Sequence, residues 1–323
     1  MPEIAITLIG LDARDRWEAA ARDGLPTHSW HYAAALAAAG PAPQLAELRA
    51  GDTRLLVPFI ERNWQGHRDI ATPTGFAAAL LLPHDATGTD LLAAWRDHAR
   101  GRGWVSGYLQ LSPRNPSLVA PPGDRVAAHN IWYEFDLARW DVRHDVRKKV
   151  RWSLRNGDRA GARLVTGGAA LADAFLRLYP AAMARLGAEI FPPETLAVWL
   201  DDPATRLFGA ELDGQITAVE LCRLRGPHAE LHLAGSAPDG RGLHGWLIWK
   251  MAEWFAARGV RWFNIGGYGQ EGDGLHQMKR RLGGTERPQR SLRQIYDPAA
   301  YDALCTAAGA DPRALYFPAY RAP

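Results

Sequence analysis

A chain of 323 residues, 47% hydrophobic and 23% charged, has the balance of a folded globular protein and the length for two domains of about 150 residues each. Two distant cysteines, Cys222 and Cys305, give no disulfide framework and no metal signature. The segment MPEIAITLIGLDARDRW lacks the basic start and long apolar core of a secretion signal, and the longest apolar run, 76–83, is far below the roughly 18 residues of a membrane span, so a cytoplasmic protein with reduced thiols and no metal is expected.

In chain order, residues 4–9 read as a strand, 12–22 as a helix, and 29–39 as a helix capped by Ser29. Residues 44–49 and 53–61 form a hairpin pattern around Gly51-Asp52, followed by a strand at 67–72. A helix at 90–102 puts Leu91, Leu92 and Trp95 on one face, and a strand follows at 104–111. The order then recurs. A basic helix is expected at 142–159, a strand at 162–165, and helices at 170–186 and 193–200. Strands at 206–212, 216–224 and 228–234, a helix at 243–257 and a strand at 260–265 complete the series. This duplication predicts two related α+β domains, 1–140 and 141–296, divided in a stretch interrupted by Pro113, Pro116, Pro121 and Pro122. The tail, 297–323, holds a short helix and is too apolar to float free, so it is expected to pack back on the body.

The net charge of +3 is unevenly spread. Residues 141–165 hold eight Lys/Arg against three Asp, and 279–293 hold six Lys/Arg against one Glu, so each segment carries +5 and the remainder −7. Two basic segments on an otherwise acidic chain point to a polyanionic partner; solvated helix faces are the plain alternative. Lysine is scarce: four (148, 149, 250 and 279) beside 34 arginines. Lysine is a compact point charge where arginine is a broad planar fork, so a retained lysine such as Lys279 is a candidate for a task arginine cannot perform.

Three motifs carry chemistry. In R-x-x-L-R-x-G-x-R-x-G, Arg151, Arg155 and Arg159 are spaced to share one helix face, where their repulsion would be offset by a phosphate-rich ligand. A strand ending in Gly266-Gly267-Tyr268 leads into GDGLHQMKRRLGG, whose Gly283-Gly284 would stop a short helix after Arg281 and place Lys279 near its last turn. On ITAVELCRL, alternation puts Ala218, Glu220 and Cys222 on one face, and Glu220 there could take a proton from an attacking amine or simply pair with an arginine. His232 and His276 are weaker candidates.

The pairing of R-x-x-L-R-x-G-x-R-x-G with a downstream strand-GG-loop-K-R-R-x-G-G resembles the Fem family of aminoacyl-tRNA-dependent transferases. The likeness covers most of the second half; in the first it rests on element order and on LLVPFIERN…IATPTGF. The family usually has Phe-Lys where this chain has Met278-Lys279. The resemblance implies two fused acetyltransferase-like (GNAT) domains, each a mixed, mostly antiparallel sheet flanked by helices. It also implies an activity: transfer of an aminoacyl group from aminoacyl-tRNA to an amine, in peptidoglycan precursor modification or natural-product biosynthesis. On that expectation Lys279 contacts the tRNA terminus or steadies the oxyanion, with Glu220 as its catalytic companion. Arg147, Arg151, Arg155, Lys279 and Arg280 hold phosphates, and Tyr268, His232 and His276 hold the acceptor. No cofactor is expected beyond aminoacyl-tRNA as co-substrate.

Two other readings remain open. An acyl-CoA-dependent acyltransferase needs a glycine-rich turn at a helix N-terminus for the pyrophosphate. The candidate, from Arg241, holds His244 and Trp246 where glycine and a small residue are usual, and both would crowd the ligand. A tRNA-binding module without catalysis is the other.

Overall fold

The computed structural model describes residues 3–75, 77–146, 148–267, 272 and 274–322. The chain divides into two compact units, one formed by Met1–His129 and Pro288–Pro323, the other by Asn130–Arg287. The chain therefore leaves the first unit earlier than residue 140 and returns to it before the tail begins.

The first unit contains β1 (Ala5–Ile9), α1 (Arg14–Ala20), α2 (Trp30–Ala37), β2 (Gln44–Ala50), β3 (Thr53–Trp64), β4 (His67–Ala71), β5 (Leu80–Leu82), α3 (Thr89–Gly101) and β6 (Ser106–Leu111). The strand β7 (Arg125–Asp136) then runs into the second unit. Its sheet runs β1-β2-β3-β4-β6, with β5 also on β3; β4 and β6 are parallel and the other pairs antiparallel. Ser29 caps α2 by accepting from the Tyr32 amide, as its place before the helix predicts. The apolar stripe of α3 (Leu91, Leu92, Trp95 and Ala99) is buried against Phe59 and Trp104.

The second unit contains α4 (Val142–Asp145), α5 (Lys148–Leu154), α6 (Asn156–Arg159), β8 (Arg163–Thr166), α7 (Ala169–Leu186), α8 (Pro193–Asp201), β9 (Thr205–Leu212), β10 (Gln215–Arg225), β11 (His228–Ser236), α9 (His244–Ala256), β12 (Trp262–Asn264) and α10 (Gly274–Arg281). The strand β13 (Thr285–Ile295) carries the chain back to the first unit, where its second half pairs antiparallel with β6 and is followed by α11 (Pro298–Ala307). In the second unit the order is β7-β12-β11-β10-β9-β8, antiparallel except for β12 beside β11. The β9–β10 hairpin turns at Asp213-Gly214, both left-handed (φ 51° and 77°), which matches the twist of the strands they join.

The core of the second unit lies between one face of this sheet and α9. Trp246, Leu247, Met251 and Phe255 pack on Phe135, Phe208, Cys222 and Phe263. Full burial of each such side chain stabilises by roughly 1.5–3 kcal/mol. On the other face, α7 lies over β10 and β11.

The single basic helix expected at 142–159 is three short ones. Asp141 caps the first, Val146 is extended (φ −104°, ψ 126°) and breaks the run, and Arg155 sits at the junction of α5 and α6. From Arg151 on, the backbone still bonds with helical spacing, Arg155 N to Arg151 O and Arg159 N to Arg155 O. Gly157 is required where α6 meets α9: a Cβ there would lie 2.5 Å from the Trp246 ring.

The tail belongs to the first unit. Tyr301, Phe317 and Tyr320 are buried with Val105, and the buried Asp69 accepts from Tyr320 Oη at 2.8 Å and Arg321 Nε at 2.7 Å.

Candidate functional site

The parallel strands β11 and β12 pair over only three positions, ending at Glu230 with Asn264. Beyond that point β11 continues on β10, while the chain after β12 runs into Ile265-Gly266-Gly267. The Asn264 side-chain carbonyl accepts from the Gly266 amide at 2.8 Å, and Gly266 is left-handed (φ 77°). A Cβ on Gly267 would lie 2.6 Å from Asn130 Oδ1, so a side chain there would have to displace the Asn130 amide, while Gly266 is favoured by its left-handed backbone.

Lys279 comes to this strand end from α10. It is only 6% exposed, and its ammonium donates to the Gly267 carbonyl at 2.8 Å. The last turn of α10 is a favourable place for a cation, because helix carbonyls point that way.

Glu220, fully buried on β10, accepts from His244 Nδ1, the oxygen and nitrogen 2.8 Å apart. Its second oxygen, Oε2, has no partner among the described residues. His244 is the first residue of α9. Burial alone lowers the pKa of its imidazole, but the hydrogen bond and charge of Glu220 outweigh that and hold it above the ordinary value. Lys279 and Arg185 act the other way, so both cations lie close enough for the histidine to feel them. Arg185, near the end of α7, donates to the Ser236 carbonyl at the end of β11. Cys222, on the same face as Glu220, is no nucleophile: burial and then the Glu220 charge push its thiol well up. Among the described residues no group of three or more His, Cys, Asp or Glu is placed to hold a metal.

The first turn of α9 is covered by the chain itself. Leu154 Cδ2 would stand 3.0 Å from a Cβ on Gly245. Trp246 Nε1 donates to Asp158 at 2.8 Å, and Lys250, one turn on, pairs with the same carboxylate at 3.3 Å. The α5–α6 segment thus lies over the place where an open glycine turn would receive a pyrophosphate.

Of the residues expected at the site, Glu220 is bonded to His244 and Lys279 is near enough to lower the histidine's pKa; His244 itself was not among the expected residues. His276 is buried, its ring edge-on to Tyr133 at 6.1 Å. His232 sits elsewhere. The β10–β11 register shifts between Leu221 and Cys222, leaving His232 as the extra residue on β11 and turning its ring against Trp199 and Phe191. Burial and the nearby Arg223 charge lower it to about 3, so it is neutral there. Arg151 is turned inward and donates to the Val146 carbonyl at 2.7 Å and to that of Arg143, so it does not share an outer face with Arg155 and Arg159. Arg155 is exposed, and Arg280 is exposed and pairs with Glu286 at 3.3 Å. Arg147 and Tyr268 lie outside the described residues.

A family model described as an acetyltransferase (GNAT) domain matches residues 141–304. Among solved structures, the chain is similar to FemX (10% identity, TM-score 0.68, covering 93% of this chain and 99% of that one). It is also similar to L-PGS from Bacillus licheniformis (13% identity, TM-score 0.58, 86% and 90%). A third is the C-terminal domain ascribed to a lysylphosphatidylglycerol synthetase of Agrobacterium fabrum (18% identity, TM-score 0.56, 79% and 89%). At these identities the likeness is one of fold: two GNAT-type α+β domains in a Fem-like arrangement of elements along the chain. No curated protein matches the sequence.

Proposed function

The chain belongs to the acetyltransferase (GNAT) domain family, and from that premise we propose that it is an aminoacyltransferase that moves an aminoacyl group from aminoacyl-tRNA to an amine, forming an amide. The observation that carries this reading is the buried Glu220–His244 pair beside the Lys279 ammonium, where β11 and β12 part. Three charged or titratable groups gathered in a largely buried place are costly for the fold alone and are characteristic of a reacting site.

The donor ester is already activated, so the work is positioning, proton removal and charge stabilisation. Glu220 fixes the imidazole through Nδ1 and leaves Nε2 to accept the amine proton as the C–N bond forms. The carbonyl oxygen becomes an oxyanion, which the Lys279 charge steadies. The C–O bond to the ribose then breaks, and the proton on His244 passes to the leaving hydroxyl. No cofactor enters this sequence. The exposure of Arg155 and Arg280 supports a part for them in meeting phosphates, and His276, three residues before Lys279 on α10, remains a candidate for the acceptor side.

The covered first turn of α9 supports a donor other than acyl-CoA, because Trp246 and α6 would have to move to admit a pyrophosphate. The acceptor is a small amine or peptide of cytoplasmic chemistry, a natural-product intermediate or a peptidoglycan precursor. The test is mass spectrometry of the products formed from charged total tRNA and a panel of amines, with acetyl-CoA as a parallel donor. Amide products from charged tRNA alone are expected. Acetylated products from acetyl-CoA alone would move the assignment to an acetyltransferase, and RNA binding without product from any donor would leave a binding module.

A further inference from the structure

Of the thirteen tryptophans, Trp152 alone is exposed among the described residues, at 64%. It stands in the middle of the more N-terminal of the two basic segments. The helical spacing kept through α5 and α6 sorts that segment into two faces. Val150, Leu154 and Gly157 turn inward, against the core of the second unit. Lys148, Trp152, Arg155 and Arg159 are all exposed, and their i, i+4, i+7, i+11 spacing puts them on one outer face. Arg159 lies over the Trp152 ring with its guanidinium carbon 4.3 Å from the centroid, and it also donates to the Trp152 carbonyl at 2.7 Å. The indole is thus held in place by an arginine that cannot lose its charge.

We propose that Trp152, braced by Arg159 and flanked by Lys148 and Arg155, is a stacking platform for an unpaired nucleobase near the 3′ end of an RNA substrate. The proposal rests on the aminoacyl-tRNA reading above and adds to it a base-recognition site. An exposed aromatic among cations matches a single strand, whose bases offer π-faces and whose backbone offers phosphates. It does not match a bilayer, because the apolar face of α5 is already buried in the protein and no second apolar face remains to enter lipid. The placement suits delivery: Leu154, two residues beyond Trp152, packs at Gly245, next to His244.

The experiment compares wild type, Trp152→Ala and Trp152→Phe for binding of a single-stranded RNA of about ten nucleotides, of the same RNA as a duplex, and of phosphatidylglycerol vesicles, alongside KM and kcat with charged tRNA. Trp152→Ala is expected to weaken single-strand binding on the order of 5- to 150-fold and to raise KM with kcat little changed, and Trp152→Phe to restore most of the affinity. Duplex and vesicle binding should change little. Unchanged single-strand affinity in Trp152→Ala, or a loss confined to vesicles, overturns the platform. Wild type that binds RNA through Trp152 yet makes no product leaves the platform standing and removes the transferase assignment.

Discussion

His244 Nδ1 lies 2.8 Å from Glu220 Oε1, which joins a helix-starting histidine to a mid-strand glutamate 24 residues away in sequence. The carboxylate stabilises the imidazolium, and the Lys279 ammonium opposes it. The two partners therefore tune the same ring in opposite directions, and each gives a signed expectation.

Glu220→Gln keeps the shape and removes the charge. The pKa of His244 then falls, its neutral form persists to lower pH, and the acid limb of the kcat profile moves to lower pH. The plateau should fall at least tenfold, within the range for loss of a well-placed base. A profile measured across pH 5–9 with charged tRNA checks both; an unmoved limb removes His244 from the proton transfer.

Lys279→Met keeps most of the buried volume and removes the ammonium. Turnover should fall on the order of 100-fold, as for loss of one oxyanion stabiliser. The acid limb should move to higher pH, because Lys279 no longer opposes protonation of His244. Thermal unfolding run alongside separates the chemical loss from the loss of the bond to Gly267. Turnover equal to wild type would leave Lys279 a purely structural cation.

The His244 pair also bears on stability. Its folded pKa is raised, so its contribution is fully present below the unfolded value of about 6.5 and is lost as pH rises through the folded value. His232 is the reverse case. Its folded pKa is lowered to about 3, so the unfolded chain binds the proton first, and stability falls as pH drops below about 6.5 toward that value. The cost is at most about 1.4 kcal/mol per pH unit. His232→Gln should flatten the fall in the denaturation midpoint between pH 6.5 and 4, and an unchanged slope would show that other groups set acid sensitivity.

Gly157→Ala tests the cover over α9. The added methyl meets the Trp246 ring, which is held by its bond to Asp158, so overpacking of about 1–3 kcal/mol is expected. Denaturant melts measure it; a neutral effect would mean the segment lifts easily from α9 and that the case against a pyrophosphate there is weak.

The basic segment shows where sequence reasoning reaches and where it stops. Arg151, Arg155 and Arg159 are spaced for one helix face, and the backbone does keep that spacing. The extended Val146, however, leaves carbonyls that Arg151 turns inward to satisfy. The outward face instead carries Lys148, Trp152, Arg155 and Arg159, because Leu154 and Gly157 must face α9. His244 was visible only as an intruder in a glycine pattern; nothing local in GLHGWLIW announces a partner on another strand.

What the sequence determined by itself is the order and type of most elements, with the strands β5, β7 and β13 and the breaks in the basic helix left unread, and the turn at Gly51-Asp52; it also singled out Glu220 and Lys279 as candidates. Alternation, helical period and turn chemistry are local rules, and the scarcity of lysine can be counted without coordinates. The tertiary structure decided which groups meet. Strand pairing set Glu220 opposite the start of α9, a bulge carried His232 away to α8, and the end of β12 drew Lys279 onto the Gly267 carbonyl. Those contacts depend on the free energy of packing distant segments together, which no local pattern encodes.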